Sequence, residues 1–261
     1  MTELEYKFTN DVLFKSLFVN NPDLLKKLVS LLLNIKFESI EQFEITNTDI
    51  PPELLGEKFC RLDINMTVNG KRIDLELQVN NEGDYPERSL YYWAREYSTA
   101  LEEGEDYVLL PQTIIISILD FKLFKCEEFH SEFQALEVKR HESLTDKMCL
   151  HYYELLKLPK TIQTDDLLKL WLNLFSVETE EELKKFEALE VPEMQQTIGA
   201  YRSITVTPEF RELERLRSKA RHNEAAALRH AKEEEREKWQ GVVDEQAAII
   251  AGLRARLGED K

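Results

Sequence analysis

The sequence predicts an α/β fold in which a mixed sheet is flanked by helices and followed by a helical C-terminal portion. Residues 61–79, RLDINMTVNGKRIDLELQV, alternate apolar and polar side chains around Asn69-Gly70, which is typical of an antiparallel hairpin. Residues 113–119, TIIISIL, form a continuous, largely apolar run, which indicates a buried central strand. From residue 165 onward, nearly all of the patterns are helical.

The chain before the hairpin is expected to form two helices. Residues 9–34 carry apolar side chains at helical spacing and are interrupted at Asn20-Asn21-Pro22, so we expect one helix on each side of this break. An apolar stripe in the second helix should face the core. It consists of Leu24, Leu25, Leu28, Leu31 and Leu32.

After the hairpin, the sequence predicts a third helix and a further strand. Pro86 suits the first turn of a helix, which we expect to run to about residue 103, because Gly104 follows as a helix stop. Residues 147–155, KMCLHYYEL, alternate enough to predict the strand. We expect both elements to belong to the α/β core.

Helical patterns dominate the rest of the chain, including DDLLKLWLNLF, ETEEELKKFEAL and a long charged run from Pro208. We therefore expect a first domain over residues 1–205, whose helical extension begins near residue 160, and a charged helical tail over residues 206–261.

The tail contains two short 3-4 steps of apolar residues, and the charged segment HAKEEEREKW between them breaks the register. A short pairing segment, which would join two copies of the chain, and a solvated, partly frayed helix both fit this pattern. A continuous coiled coil does not. The two steps are Leu213, Leu216 and Ala220, and Ile250, Leu253 and Leu257.

Composition indicates a globular protein, with 43% hydrophobic residues and scattered charges. No run of 18 apolar residues suggests a membrane span, and the acidic N-terminus does not resemble a signal peptide, so we expect a cytoplasmic protein. Cys60, Cys126 and Cys149 show no CxxC spacing and are expected to be buried thiols, not disulfides or zinc ligands. His130 and His151 are likewise expected to be isolated.

The hairpin sets two carboxylates against each other. An Asn-Gly turn pairs residues whose numbers sum to 139, which places Asp63 opposite Glu76 on the polar face. Opposed side chains in an antiparallel pair have Cβ atoms about 4.5–5.5 Å apart, so this pair of like charges would destabilise the sheet. A divalent cation would compensate. The alternative is an ordinary hairpin whose polar face contacts water.

Six motifs follow one another along the chain in a distinctive order. They are KFTNDVLFKSLF at residues 7–18, RLDINMTVNGKRIDLELQ at 61–78, RSLYYWAREYSTALEEGEDY at 88–107, IISILDFKLF at 115–124, YYELLK at 152–157 and LLKLWLNLF at 167–175. In this order they resemble the PD-(D/E)XK nucleases, in particular the PD-(D/E)XK nuclease family transposases, or Rpn-type recombination-promoting nucleases.

The resemblance implies a restriction-endonuclease-like core and a Mg²⁺-dependent DNA endonuclease, for which Mn²⁺ could substitute, with a role in DNA recombination or transposition. It implies that Asp63 and Glu76 hold the metal and that the Leu77 carbonyl adds a ligand. Gln78 stands where commoner members of the superfamily carry Lys. Its neutral amide can orient water or phosphate but supplies no positive charge.

Other residues are candidates for the same site. Asp11, in the first turn of the first helix, would be either a third metal ligand or a stabiliser of that helix end. Lys15 follows one turn later and could contact phosphate. Arg88, Tyr92 and Arg95 share one helix face, which would either contact DNA phosphates or cover the sheet.

The net charge of −16 is unusual for a DNA-binding protein, because phosphate contacts normally require a basic surface. A metal-dependent nuclease brings its own positive charge to the phosphate, so we expect weak or localised DNA binding. The alternative function is a catalytically weak interaction module, which has the nuclease fold and acts through its helical tail. The acidic charge and the absence of a lysine at position 78 favour this alternative.

Overall fold

The computed structural model describes residues 2–47, 63–101, 104–159, 162 and 164–257. The helices in these residues are α1 (Asp11–Val19), α2 (Pro22–Leu32), α3 (Tyr85–Ser98), α4 (Leu167–Phe175), α5 (Glu180–Glu187), α6 (Pro192–Thr205) and α7 (Pro208–Leu257). The strands are β1 (Phe43–Ile45), β2 (Ile64–Val68), β3 (Lys71–Gln78), β4 (Thr113–Leu119), β5 (His130–Gln134) and β6 (Met148–Glu154).

The six strands form one mixed sheet in the order β1-β2-β3-β4-β6-β5. Strand β4 runs parallel to both of its neighbours, β3 and β6, and the three remaining pairs are antiparallel. All seven residues of β4 are buried, as its continuous apolar run predicts. The predicted α/β class with a mixed sheet is therefore confirmed.

The predicted hairpin is also confirmed in its register. Every described pair between β2 and β3 sums to 139, from Ile64 opposite Leu75 to Val68 opposite Lys71. Asn69 and Gly70 have φ angles of 48° and 75°, which a type I′ turn requires at both central positions. The pairs expected for residues 61 and 62 lie outside the described residues. Asp63, predicted opposite Glu76, directly precedes β2 and is not part of the observed ladder.

The sheet separates two apolar cores, because successive side chains of a strand point to opposite faces. On the first face, alternate residues of β3, β4 and β6 pack against α1, α2, α4, α5 and α6, with Trp171 of α4 fully buried; we call this the main core. On the second face lies a smaller α3 core. Its buried members are Tyr85, Tyr92, Ile115, Leu119, Phe121, Leu150 and Tyr152.

The structure differs from the sequence prediction at the end of α3, which stops at Ser98 and not near residue 103. Thr99 Oγ1 donates to the carbonyl oxygens of Arg95 (3.1 Å) and Glu96 (3.2 Å). Such side-chain bonds to backbone carbonyls compete with continuation of a helix. Thr99 is the C-cap of α3, and its φ of −89° and ψ of 5° lie outside the α-helical region.

Two strands were not expected from the sequence. Strand β1 has only three residues, and β5 is an edge strand with polar, largely exposed side chains, so neither carries a clear apolar alternation. The expectation of buried thiols holds for Cys149 but is wrong for Cys126, which is exposed. Cys60 lies outside the described residues.

The chain divides into two compact units. The first contains residues 1–50 and 61–213, and the second includes residues 214–261. The first unit holds the sheet and helices α1–α6, and most of α7 belongs to the second. A domain boundary at residue 205 remains a prediction. In the described part of the chain, no helix combines the length and apolar character needed to cross a membrane.

A capping box at the start of α5 allows a test of local stability. Thr179 Oγ1 accepts from the Glu182 N–H, and Glu182 Oε2 accepts from the Thr179 N–H, both at 3.2 Å. We expect Thr179→Ala to lower the free energy of unfolding by about 1 kcal/mol, measured by chemical denaturation. Ser203→Ala, which removes an exposed hydroxyl within α6, is the matched control and should change it little. Equal stability of the two variants would contradict this assignment.

Candidate active site

Acidic residues of the hairpin gather on the face of the sheet that α3 covers. Asp74 and Glu76 alternate along β3 and both point to this face, while Asp63 directly precedes β2. The Asp63 carboxyl lies within hydrogen-bonding reach of the Asp74 carboxyl. In the amide orientation that its neighbours favour, the Asn65 nitrogen donates to Asp74 Oδ1 (2.9 Å) and to Asp63 Oδ2 (3.2 Å) and so links the two carboxylates.

Glu76 is 2% exposed and is held by a buried hydroxyl pair. The Tyr85 hydroxyl oxygen lies 2.8 Å from Glu76 Oε2 and 2.9 Å from Ser117 Oγ. A tyrosine hydroxyl has one proton, so its donation to Glu76 leaves the Ser117 hydroxyl as the donor to Tyr85. Burial, followed by the charge of Glu76, raises the pKa of Tyr85 well above its ordinary value, which keeps Tyr85 protonated as a donor.

The raised pKa of Asp74 indicates that the site carries excess negative charge. Burial is the largest cause that raises its pKa well above the ordinary value, and the charges of Asp63, Glu76 and Glu96 add to this effect. A cavity of about 220 Å³ borders Asp74 and is also lined by Arg72 and Glu96. A carboxyl group in this environment gains from any cation that binds beside it.

The donor set fits a hard divalent cation. Carboxylate oxygens are the ligands that Mg²⁺ and Mn²⁺ prefer. Asp74 and Glu76 supply them from β3, and Asp63 supplies them from the position just before β2. The ligand oxygens of these three carboxylates do not all lie within 4.8 Å of one another. A bound cation would therefore have to draw them together.

Gln78 lies beside Glu76 and is oriented by Arg88. Its Nε2 is 3.5 Å from Glu76 Oε2, and its Oε1 accepts from Arg88 Nη2 at 3.1 Å. Arg88 Nη1 also pairs with Glu82 at 2.7 Å, and its guanidinium carbon lies 5.2 Å from the centre of the Tyr85 ring. A positive charge thus stands next to Gln78, although residue 78 itself is neutral.

Leu77 and Asp11, the two other predicted metal ligands, each make a contact within the fold. Leu77 lies between Glu76 and Gln78, and its side chain packs against the main core. Asp11 Oδ1 accepts from the Val12 N–H at 2.9 Å in the first turn of α1. This contact is the helix-end role that the sequence left open, and metal ligation by either residue remains a prediction.

The candidate phosphate contacts differ in exposure. Lys15 of α1 is 3% exposed. Tyr92 is 8% exposed and belongs to the α3 core, whereas Arg95 is exposed. The burial of Tyr92 fits the alternative that this helix face covers the sheet. Among these residues, Arg95 has the exposure that a phosphate contact requires, and Arg88 lies nearest to the carboxylates.

Sequence reasoning missed Asp74, Tyr85 and Ser117 as members of the site. The hairpin register already places Asp74 on the polar face, two residues before Glu76, so this signal was present. Ser117 is a hydroxyl in the middle of the apolar run of β4, opposite Glu76. Tyr85 starts α3 and reaches Glu76 only through the tertiary structure, so no local pattern identifies it.

The raised pKa of Asp74 predicts how stability depends on pH. The folded state holds the Asp74 proton more tightly than the unfolded chain, so the free energy of unfolding falls as pH rises through the raised pKa. We expect Asp74→Asn to raise the melting temperature of metal-free protein at pH 7 by at least about 2 °C. The difference should vanish below about pH 3.9, where both states are protonated.

Thermal melts across this pH range test the prediction, with Asp146→Asn as the control, since Asp146 is exposed. A rise that is the same at acidic and neutral pH would show that charge at Asp74 is not its cause.

A second cluster lies on the opposite face of the sheet, at its β5 edge. His130 Nε2 is 3.0 Å from His151 Nδ1, and Cys149 Sγ lies 3.1 Å from His151 Nε2 and 3.6 Å from Glu132 Oε1. The expectation that His130 and His151 are isolated is therefore wrong. We call these four residues the β5–β6 cluster. Burial is the main cause that raises the pKa of Cys149 to about 12 and lowers that of His151 to about 4.

A family model described as PD-(D/E)XK nuclease family transposase matches residues 8–231 of the chain. This range contains the whole sheet and every candidate site residue named above. No curated protein and no solved structure gives a significant match. The match confirms the resemblance found in the order of the sequence motifs, and the mixed sheet with its helices is consistent with a restriction-endonuclease-like fold.

Proposed function

We propose, from the premise that this chain belongs to the PD-(D/E)XK nuclease family transposases, that it is a divalent-metal-dependent DNA endonuclease. Family membership supports a nuclease or transposase-like role, with DNA as the substrate, and such nucleases generally use divalent metal ions. The use of Mg²⁺, with Mn²⁺ as a substitute, endonucleolytic cleavage and a role in recombination are our proposals.

The observation that carries this proposal is the excess of buried negative charge on the α3 face. A buried carboxylate without compensating charge is costly, and the raised pKa of Asp74 reflects that cost. The neighbouring carboxylates of Asp63 and Glu76 are part of its cause. A divalent cation would remove this cost, and carboxylates suit such a cation.

In the proposed site, Asp63, Asp74 and Glu76 would hold the cation. When bound, it would supply Lewis-acid polarisation of the scissile phosphate and of the attacking water. The Tyr85 hydroxyl keeps one Glu76 oxygen in a fixed position through its 2.8 Å hydrogen bond. Gln78 would orient the water or a phosphate oxygen, because its amide is held by Arg88.

Arg88 offers the positive charge that a lysine at position 78 would otherwise supply. Its guanidinium lies one hydrogen bond away from the Gln78 side chain. We propose that Arg88 and Gln78 act together toward the phosphate, and that the exposed Arg95 contacts the DNA backbone farther along α3. A DNA substrate also fits the cytoplasmic location that the sequence predicts.

The test is a cleavage assay on supercoiled plasmid and on linear duplex DNA with the purified full chain. We expect conversion of supercoiled plasmid to nicked or linear forms with Mg²⁺ or Mn²⁺, and none with EDTA. Formation of cut plasmid distinguishes an endonuclease from an exonuclease, because a closed circle has no ends. If cleavage is absent with both ions, or if EDTA does not stop it, the proposed function is wrong.

The alternative, a catalytically weak interaction module, is favoured by the net charge of −16 and by the exposed apolar residues of α7. Trp239, Val243, Ile250 and Leu253 are all exposed and lie at helical spacing. A homo-oligomer formed through α7 is therefore also proposed. Absence of cleavage, together with no rise in melting temperature at millimolar Mg²⁺ or Mn²⁺, would favour the module.

A further inference from the structure

The β5–β6 cluster contains three different side chains that can each offer one ligand atom to a metal ion. Strand pairing places Glu132 of β5 directly opposite His151 of β6, and Cys149 lies two residues before His151 on the same face. In the described part of the chain, Glu132, Cys149 and His151 are the only such group of three or more whose ligand atoms all lie within 4.8 Å of one another.

The distances in this group are close to those of tetrahedral zinc coordination. Zn–S bonds of about 2.3 Å and Zn–N or Zn–O bonds of about 2.0–2.1 Å imply ligand atoms about 3.3–3.6 Å apart in a tetrahedron. Cys149 Sγ lies 3.1 Å from His151 Nε2 and 3.6 Å from Glu132 Oε1. Small side-chain movements would bring all three atoms to bonding distance of one ion.

We propose that Glu132, Cys149 and His151 form a Zn²⁺ site that is separate from the candidate active site. A thiolate and an imidazole select zinc over Mg²⁺, which prefers oxygen ligands only. The two sites lie on opposite faces of the sheet, because Cys149 belongs to the main core whereas Asp74 and Glu76 face α3. The zinc site does not depend on the proposed nuclease function.

His130 serves as the positioning residue of this site. Its Nε2 lies 3.0 Å from His151 Nδ1, and the two ring planes are nearly parallel, at an interplanar angle of 9° with centroids 5.3 Å apart. When His151 Nε2 binds a metal, its Nδ1 carries the proton and can donate it to His130 Nε2. This hydrogen bond fixes the tautomer and the ring orientation that zinc binding requires.

The site is reachable from solvent and keeps one coordination position available. A cavity of about 320 Å³ is lined by all three proposed ligands and by polar side chains that include Lys71, Gln112 and Gln134. Three protein ligands leave a fourth position of a tetrahedron for water or another small ligand. Because Glu132 lies on the edge strand and the other ligands lie on β6, bound zinc would tie β5 to the sheet.

Cobalt provides a direct test, since a Co²⁺ ion bound by a thiolate shows a sulfur-to-metal charge-transfer band in the near ultraviolet. We expect the chelator-treated full chain to develop this band with one equivalent of Co²⁺, and Zn²⁺ to abolish it by displacement. Cys149→Ser should lose the band. His130→Gln should keep it but weaken cobalt affinity by about 10- to 100-fold.

Two controls separate this site from other metal-binding residues. Cys126→Ser, which removes the exposed thiol, should leave the band unchanged. Glu76→Gln should also leave it unchanged, because that residue lies in the oxygen-rich site on the other face. Absence of a sulfur-to-cobalt band in the wild-type chain, or its persistence in Cys149→Ser, would overturn the proposal.

Melting curves guard against a variant that has simply unfolded. Metal-free Cys149→Ser and wild-type protein should show the same circular dichroism, since serine is close to cysteine in size. A saturating excess of Zn²⁺ should raise the melting temperature of the wild type by about 5 °C or more, because zinc binds the folded state. The same shift in Cys149→Ser would contradict the site, as would no shift in the wild type.

If Cys149→Ser does not fold, Glu132→Gln at its exposed position replaces it, and an unchanged cobalt affinity would then reject the proposal.

Discussion

Replacing Glu76 with glutamine is expected to lower metal-dependent cleavage of plasmid DNA by at least about a hundredfold. The amide keeps the size of the side chain and can still accept from Tyr85 Oη, but it removes the charge that would hold a divalent cation. Glu76 is 2% exposed, so solvent cannot replace the lost ligand without moving the surrounding side chains. The rate constant of nicking at saturating Mg²⁺ is the quantity to measure.

Glu87→Gln is the matched control, because Glu87 is an exposed acid on α3 and its replacement changes the net charge by the same amount. It should cleave at the wild-type rate. Metal-free Glu76→Gln should melt no lower than the wild type, since the change also relieves repulsion with Asp74. Cleavage by Glu76→Gln at the wild-type rate would show that Glu76 is not a metal ligand.

The hairpin and its acidic face could be predicted because their determinants are local. Asn69-Gly70 selects one turn type, this turn selects the register, and alternation then assigns Asp74 and Glu76 to one face. The electrostatic state of Asp74 could not be predicted in the same way. It depends on burial beneath α3 and on Glu96, which lies 22 residues away in the chain.

The β5–β6 cluster shows a different limit of sequence reasoning. Glu132 and His151 meet only because β5 pairs with β6, and β5 is an exposed, polar edge strand without clear alternation. The same absence of an apolar pattern hid both the strand and the contact between His130 and His151. Once β5 is known, its register accounts for the cluster directly.

Arg88 supplies a positive charge to the site that the neutral residue at position 78 does not predict. The sequence offers a neutral Gln78 in place of lysine, which predicts a weak catalyst. The structure brings a guanidinium within 3.1 Å of Gln78 Oε1, so positive charge is present beside the residue and not on it. This arrangement bears on the choice between an enzyme and an interaction module, because only the enzyme requires that charge.

We expect Arg88→Ala to lower kcat for DNA cleavage by about 10- to 100-fold, because Gln78 loses its orienting partner and the phosphate loses a nearby cation. Arg95→Ala is the comparison within the same helix. Arg95 is exposed and would contact only the DNA backbone, so its loss should raise KM and leave kcat unchanged. The slope of the logarithm of affinity against the logarithm of salt concentration should fall by about one unit. Steady-state kinetics at several salt concentrations separate the two effects.

A second substitution distinguishes a catalytic cation from a merely structural arginine. In the Arg88→Ala background, Gln78→Lys places an ammonium where the guanidinium acted, and kcat should recover at saturating Mg²⁺. In the wild-type background, the same lysine would stand beside Arg88, and repulsion between like charges and with the metal should weaken Mg²⁺ binding. Its rate should therefore fall below that of the wild type at low Mg²⁺. If Gln78→Lys fails to restore kcat in the Arg88→Ala background while the double variant remains folded, positive charge at this position does not assist the reaction, and Arg88 serves only to hold α3 against the sheet.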